Sequence, residues 1–255
     1  MSSVSVRGLT KDFYDESRGE FHAVAGVSFE CRPGEIFGLL GANGAGKTTT
    51  LRMLATILKP TAGSASLMGH DIASDPEGVR RNLGFTSSTT ALYPRLTARE
   101  TIEFFARING WPEERVKERV ENLVARFGIG EYADVRVDKL SQGMKQKVSI
   151  ARTVAHDPPV LIFDEPTVGL DVLNAIDMQK AIAAFRDEGK CIIFSTHIMS
   201  EAEKLCDRIA IIHRGKIHAC NTLAELRAAT GRHYLEEIFV HYVQQANAGP
   251  VEAGT

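Results

Sequence analysis

The sequence predicts an α/β fold with a mixed, mostly parallel sheet core, an antiparallel β subdomain and an inserted α-helical subdomain. Three observations carry that prediction. First, the apolar runs "EIFGLL", "PVLIFDEP", "CIIFSTH" and "RIAIIHRG" show no in/out alternation. Strands covered on both faces read this way, which is the habit of parallel sheets. Second, helical segments separate these runs, with helices expected after the glycine-rich "GANGAGKTT" and near 172–187 and 199–206. Third, residues 97 to 128 break the alternation. Thr97 and Glu100 have capping-box spacing. Ile102, Phe105 and Ile108 then share a face, and Val116, Val120, Leu123 and Phe127 repeat at a helical period up to Gly128. This predicts a mostly helical insertion over about 89–137.

The remaining elements follow in order. "VSVRGLT" and "AVAGVSFEC" read as two antiparallel strands, with a polar loop around Asp15 to Glu20. "SASLMGHDI" reads as a strand and turn. A last helix is expected over "LEEIFVHYVQQA", and the tail from about 246 to 255 reads as disordered.

The chain has 255 residues, 44% of them hydrophobic and 24% charged. That is enough for a single well-packed domain spanning 1–255. A net charge of -2, with scattered lysines and arginines, argues against coating nucleic acid by bulk electrostatics. Four cysteines without CxxC spacing argue against a disulfide framework and for a reducing cytosol. The first residues lack a signal-peptide apolar core. No apolar run approaches the roughly 18 residues of a membrane span, so the chain alone is expected to be soluble.

The chemistry starts at Gly41–Thr49, which matches G-x-x-x-x-G-K-[ST] between an apolar strand and a helix. In such a loop Gly41, Ala42, Asn43, Gly44, Ala45 and Gly46 turn backbone N–H groups onto phosphate oxygens. Lys47 would reach the β and γ phosphates, the Thr48 hydroxyl would bind Mg2+, and Thr49 continues into a helix whose N-terminus favours anions. A dinucleotide fingerprint fits worse. The glycines are spaced G-x-x-G-x-G, and "TAGSAS", about 20 residues on, lacks the ribose-binding acid.

"VLIFDE" is an apolar strand ending in two carboxylates. Asp164 is a candidate for Mg2+, and Glu165 for the base that polarises an attacking water. The alternative is a strand ending at a solvated acidic turn. "IIFSTH" ends at His197, at the carboxyl end of a strand, where α/β sheets build their sites. There it would donate to a γ-phosphate; as a lone histidine it would be structural. "DKLSQGMKQKVSIART" starts a basic helix near Ser141. By itself that helix end fits a membrane, nucleic acid or an anion equally.

The order of these motifs resembles the nucleotide-binding subunits of ABC (ATP-binding cassette) transporters, from about residue 4 to about 220. The resemblance rests on Gly41–Thr49, on "LSQGM" at 140–144 in place of LSGGQ, on "VLIFDEP" at 160–166, on "VGLD" at 168–171 and on His197. It implies a head-to-tail homodimer in which Ser141, Gln142, Gly143 and Met144 of one copy close over the γ-phosphate held by the other. Asp171 would stand at the same interface. It also implies an aromatic platform for adenine, which the pattern assigns to Phe13, with Tyr14 as the second choice.

Two positions depart from the family's pattern. Ser88 stands where a metal-contacting glutamine is expected, with Thr89 beside it, and Met144 replaces the signature glutamine, whose hydrogen bonds methionine does not accept. With "TALYPRLTARE", these departures are similar to ATPase subunits of ABC-2 exporters of the sodium-extrusion type. The resemblance thus implies an ATPase using ATP and Mg2+, and an ABC-2-type permease as partner, for sodium or drug efflux. It implies a place on the inner face of the cell membrane and no nucleic acid partner. Soluble ABC ATPases of ribosomes or DNA usually carry two cassettes or a long coiled coil, and this chain has neither feature. A cassette of another transporter class differs only in its loops. A regulator without turnover fits poorly with Glu165 and His197 both present.

Overall fold

The computed structural model of the chain describes residues 2–16, 19–87 and 91–248. Strands β1 (Val4–Asp15) and β2 (Gly19–Cys31) pair antiparallel, with Val4 opposite Cys31 and Phe13 opposite Phe21. Both run further than their apolar patterns predict, so that Asp15, Gly19 and Glu20 of the expected polar loop are strand residues. Ladder hydrogen bonds satisfy the backbone whatever the polarity of the side chains. Strand β3 (Ile36–Leu40) starts the second sheet, while β4 (Ala62–Leu67) and β5 (His70–Asp71) complete the first, in the order β2-β1-β4-β5.

The larger sheet adds β6 (Leu83–Ser87), β7 (Val160–Asp164), β8 (Cys191–Thr196), β9 (Arg208–His213) and β10 (Lys216–Asn221). Its order is β10-β9-β3-β8-β7-β6, parallel from β9 to β6 with β10 antiparallel at the edge. Every residue of β3, β7 and β8 is buried. Successive residues serve opposite layers, as a pleated strand requires. Val160 and Ile162 pack with the antiparallel sheet and helix α1 (Lys47–Leu54). Leu161 and Phe163 pack with the helical side. Each such fully buried side chain contributes about 1.5–3 kcal/mol, so the central strands anchor everything built on their ends.

The helical side carries the insertion. After the short α2 (Pro76–Arg81) come α3 (Ala98–Ile108) and α4 (Glu113–Arg126), the first opened by the expected capping box of Thr97 and Glu100. Helix α5 (Gln142–Thr153) packs against α3 and β6. Helices α6 (Val172–Asp187) and α7 (Met199–Leu205) follow β7 and β8. Helices α8 (Leu223–Thr230) and α9 (Leu235–Ala248) cover β9 through Leu226, Leu235 and Ile238. Helix α9 reaches Ala248, past the point where the disordered tail is expected to begin, because Leu235 and Ile238 tie it down. No described helix is long and apolar enough to cross a membrane, and all four cysteines are free thiols.

Candidate nucleotide site

Sheet register assembles the site. Leu40 lies beside Thr196, and Asp164 lies beside Ser195. The loops leaving β3, β7 and β8 therefore emerge together at the carboxyl edge of the sheet, bringing Gly41, Glu165 and His197 side by side. Open α/β sheets bind ligands at this edge.

The loop after β3 is held from behind. A Cβ on Gly41 would lie 2.5 Å from the Ile212 carbonyl oxygen, so only glycine fits there. Gly46, at φ 105°, would drive a Cβ to 2.6 Å from the Ala23 carbonyl oxygen. Lys47 is 4% exposed. Its Nζ donates to the carbonyl oxygens of Gly41 (2.7 Å) and Ala42 (3.2 Å) and pairs with Glu165 Oε1 at 3.1 Å.

His197 Nδ1 stands 3.2 Å from the same Glu165 oxygen. Glu165 holds a positive φ of 50°, rare for a residue with a side chain, in a region where such strain clusters at functional sites. Burial pushes its carboxyl pKa up. Hydrogen bonds from Lys47 and His197 and their charges pull the other way and leave it below the ordinary value. Asp164 is buried and accepts from Ser195 Oγ at 2.6 Å, while Glu165 N donates to the same Oγ at 3.1 Å. Ser195 thus holds the Asp164 carboxylate and the Glu165 backbone, a role the sequence pattern does not reveal.

Lys47, Asp164 and Glu165 line one cavity of about 580 Å3; His197, paired with Glu165, does not line it. Asn43, Gly44, Gly46, Lys47, Thr48 and Thr49 form its floor with Asp164 and Glu165. Gly41, Ala42 and Ala45 shape the loop without lining the cavity. Phe13 and Phe21 wall the far side, stacked with ring centroids 5.9 Å apart. Phe13 lines the cavity, and Tyr14, the second choice for the adenine platform, is 78% exposed and off it. Phe21, His22, Arg214 and Gly215 also line the cavity, and no motif marks them.

The signature segment faces elsewhere. Ser141 caps α5, its Oγ accepting from Met144 N at 3.3 Å. Gln142 and Met144 are exposed, and none of the four residues 141–144 lines the cavity. Asp171 caps α6 by accepting from Asn174 N (3.0 Å) and also takes the Asn174 side-chain amide at 2.6 Å. That amide lies where a Cβ on Gly143 would meet it at 3.0 Å. The two segments are therefore packed together through Asn174. Gln146 on α5 donates to the Pro166 carbonyl oxygen at 2.7 Å, tying the same helix to the chain after Glu165. Ser88 and Thr89 fall outside the described residues.

Oxygen donors suited to Mg2+ meet in this cavity. Thr48, which carries a hydroxyl, and the buried Asp164 both line it. Mg2+ bound with substrate phosphates needs only one or two carboxylates. The described residues contain no cluster of three or more histidine, cysteine, aspartate or glutamate side chains that could hold a metal ion.

A family model described as ABC transporter matches residues 24–168. The chain is similar to the ABC transporter ATP-binding protein NatA of Bacillus subtilis, 38% identical over 238 residues that cover 93% of this chain and 96% of that protein. It is also similar to the daunorubicin/doxorubicin resistance ATP-binding protein DrrA of Streptomyces peucetius, 36% identical over 233 residues, 91% of this chain and 69% of that one. A solved ATP-binding subunit of an ABC transporter superposes with a TM-score of 0.86 at 31% identity, covering 95% of this chain and 100% of the other. A dimeric ATP-binding cassette in a post-hydrolysis state, bound to ADP and Pi, superposes with a TM-score of 0.78 at 25% identity, covering 86% and 98%. On this evidence the chain belongs to the ABC transporter family, as an ATP-binding cassette that hydrolyses ATP.

Proposed function

We propose that the chain is the ATPase subunit of an exporter, pairing with a second copy of itself and driving a separate membrane permease. The observation that carries the hydrolytic part is the meeting of Lys47, Asp164 and Glu165 at one cavity with an aromatic wall, with His197 paired to Glu165 beside it. The export part is supported by a relative whose name is resistance to daunorubicin and doxorubicin. The cargo, sodium or drug, is a matter for the permease.

In this reading adenine stacks on Phe13, and the phosphates lie on the backbone amides of Asn43 to Thr49. Lys47 exchanges Glu165 for the β and γ phosphate oxygens. Glu165, freed from the lysine, accepts a hydrogen bond from the attacking water and aligns it with the γ-phosphorus. His197 donates to a γ oxygen, and Ser195 keeps Asp164 and Glu165 aimed. Thr48 and Asp164 would hold Mg2+, which when bound neutralises charge on the β and γ phosphates. The partner subunit's Ser141, Gly143 and free α5 amides close over the γ-phosphate by helix-terminus logic. Asp171 supports this by holding Asn174 against Gly143.

A second surface supports a membrane partner. Ile57, Tyr93, Phe104 and Ile108 are exposed apolar side chains. Phe105, which packs edge-on against Phe104, lines a cavity of about 290 Å3 with Ile57 and Arg152. Arg152 is 6% exposed, and its guanidinium stacks on Phe105 at 4.7 Å and makes no hydrogen bond or ion pair among the described residues. Apolar faces rimmed by polar groups mark interfaces. A buried, unpaired guanidinium calls for a carboxylate. The permease segment seated there is expected to be apolar with one acidic side chain.

The test is Glu165→Gln. It should keep ATP binding, lose turnover by at least about a hundredfold, and accumulate ATP-held dimers in size-exclusion runs. Turnover at the wild-type level would remove Glu165 from this role.

A further inference from the structure

We propose that Arg214 is a nucleotide-binding residue, its guanidinium taking the α-phosphate from the turn between β9 and β10. The proposal rests on the cavity being the ATP site. His213 pairs with Lys216, so Arg214 and Gly215 form a two-residue hairpin turn. Both have positive φ, 48° and 74°. Such turns favour asparagine, aspartate or glycine at the first position. An arginine there carries backbone strain that the turn itself does not require. Strained residues of this kind concentrate at ligand clamps.

The turn is fixed to both walls of the site. Gly215 N donates to the Ala45 carbonyl oxygen at 2.9 Å, and Gly215 O accepts from Ala25 N at 2.8 Å. A Cβ on Gly215 would lie 2.9 Å from the Ala23 carbonyl oxygen, and one on Gly46 would lie 3.3 Å from Gly215 Cα. The base of Arg214 therefore keeps a constant position between the phosphate loop and the strand that bears Phe21.

Charge completes the argument. The cavity's other charged donor, Lys47, is engaged by Glu165 and two carbonyl oxygens, and His22 pairs with Asp12 at 2.5 Å. Arg214 is exposed and has no hydrogen bond or ion pair among the described residues. Lys47, Thr48 and Glu165 occupy the β,γ end. Arg214 lines the same cavity, and its neighbour Gly215 packs against Gly46, one residue before Lys47, and against Ala23 of the strand that bears Phe21. The phosphate next to the ribose is the anion at that position, and a guanidinium binds phosphate oxygens in a two-point fork.

The experiment measures equilibrium binding of ATP, ADP, AMP and adenosine to the wild type, Arg214→Ala, Arg214→Gly, Arg214→Lys and Lys47→Ala. Arg214→Gly relaxes the turn, so any loss it shows is not unfolding. Both removals are expected to weaken ATP, ADP and AMP by about tenfold, the scale of one charge-assisted hydrogen bond. Adenosine should be spared, and the KM for ATP should rise with little change in kcat. Arg214→Lys should recover part of the loss. Binding of all three nucleotides within about twofold of wild type, with Lys47→Ala still defective, overturns the role of Arg214. An equal loss for adenosine overturns the phosphate contact. Wild-type binding by Lys47→Ala as well would overturn the nucleotide reading of the cavity itself.

Discussion

Lys47 is buried where an unpaired ammonium would be costly, and Glu165 is what neutralises it before nucleotide arrives. The two opposing effects on Glu165 have a measurable consequence. Burial raises its carboxyl pKa, but Lys47 and His197 bring it net below the ordinary 4.5. A carboxyl with a depressed folded pKa stabilises the fold above its unfolded pKa. It loses that contribution as pH falls through the folded value. The melting temperature of the nucleotide-free wild type should therefore exceed that of Glu165→Gln at neutral pH. The gap should persist through mildly acid pH and close only below the ordinary glutamate range. A gap that stays constant to strongly acid pH would show that the pair does not act through charge. At this scale the motif residues Lys47, Asp164, Glu165 and His197 were legible, because phosphate chemistry restricts which side chains can stand in those loops. Ser195 was not, because a serine inside an apolar strand carries no mark until its register beside Asp164 is known.

At the scale of elements, helix α3 opens with a reciprocal cap. Thr97 Oγ1 accepts from Glu100 N at 3.1 Å, and Thr97 N donates to Glu100 Oε2 at 2.8 Å. Removing the hydroxyl leaves helix donors unpaired. Thr97→Ala should cost about 1 kcal/mol in urea denaturation, with ATP affinity unchanged because α3 does not line the cavity. A cost near zero would mean that the tertiary contacts of Ala98 and Ile102 hold the helix start without its cap. Such local signals made α3, α4, α5 and α6 readable. Helix α8 carries the same box, Thr222 with Glu225, but α8 and α2 are too short for their sequences to show a helical period. Strand β10 was missed for a different reason. It is an edge strand, and its residues are partly buried to exposed, with no fully buried run to announce it.

For the whole molecule, the decisive relation is between surfaces. The proposed dimer sets a partner's Ser141 segment over the cavity. The aromatic face by Arg152 is proposed to meet the permease. Arg152→Met separates packing from recognition. A buried, unpaired guanidinium is costly, so an apolar side chain of similar reach should hold or raise the melting temperature. Recovery of the cassette with permease-containing membranes should fall by at least about tenfold, the scale of one buried charge pair. Unchanged recovery would move the permease contact elsewhere.

The sequence alone determined the class of fold, the order of its main strands and helices, and the phosphate chemistry. Each of these depends on spacing over a few residues, and backbone geometry ties spacing to structure. It also exposed Ser141 and Gly143 as a helix start, but not Asn174 packed against Gly143. Only the tertiary structure decided that Phe21 shares the wall with Phe13, that Ser195 holds the Asp164 carboxylate and the Glu165 backbone, and that Arg214 lines the same cavity. Those relations arise where strands far apart in the chain fall into register. The physical reason is that pairing energy is set by the partner strand, which no local pattern contains.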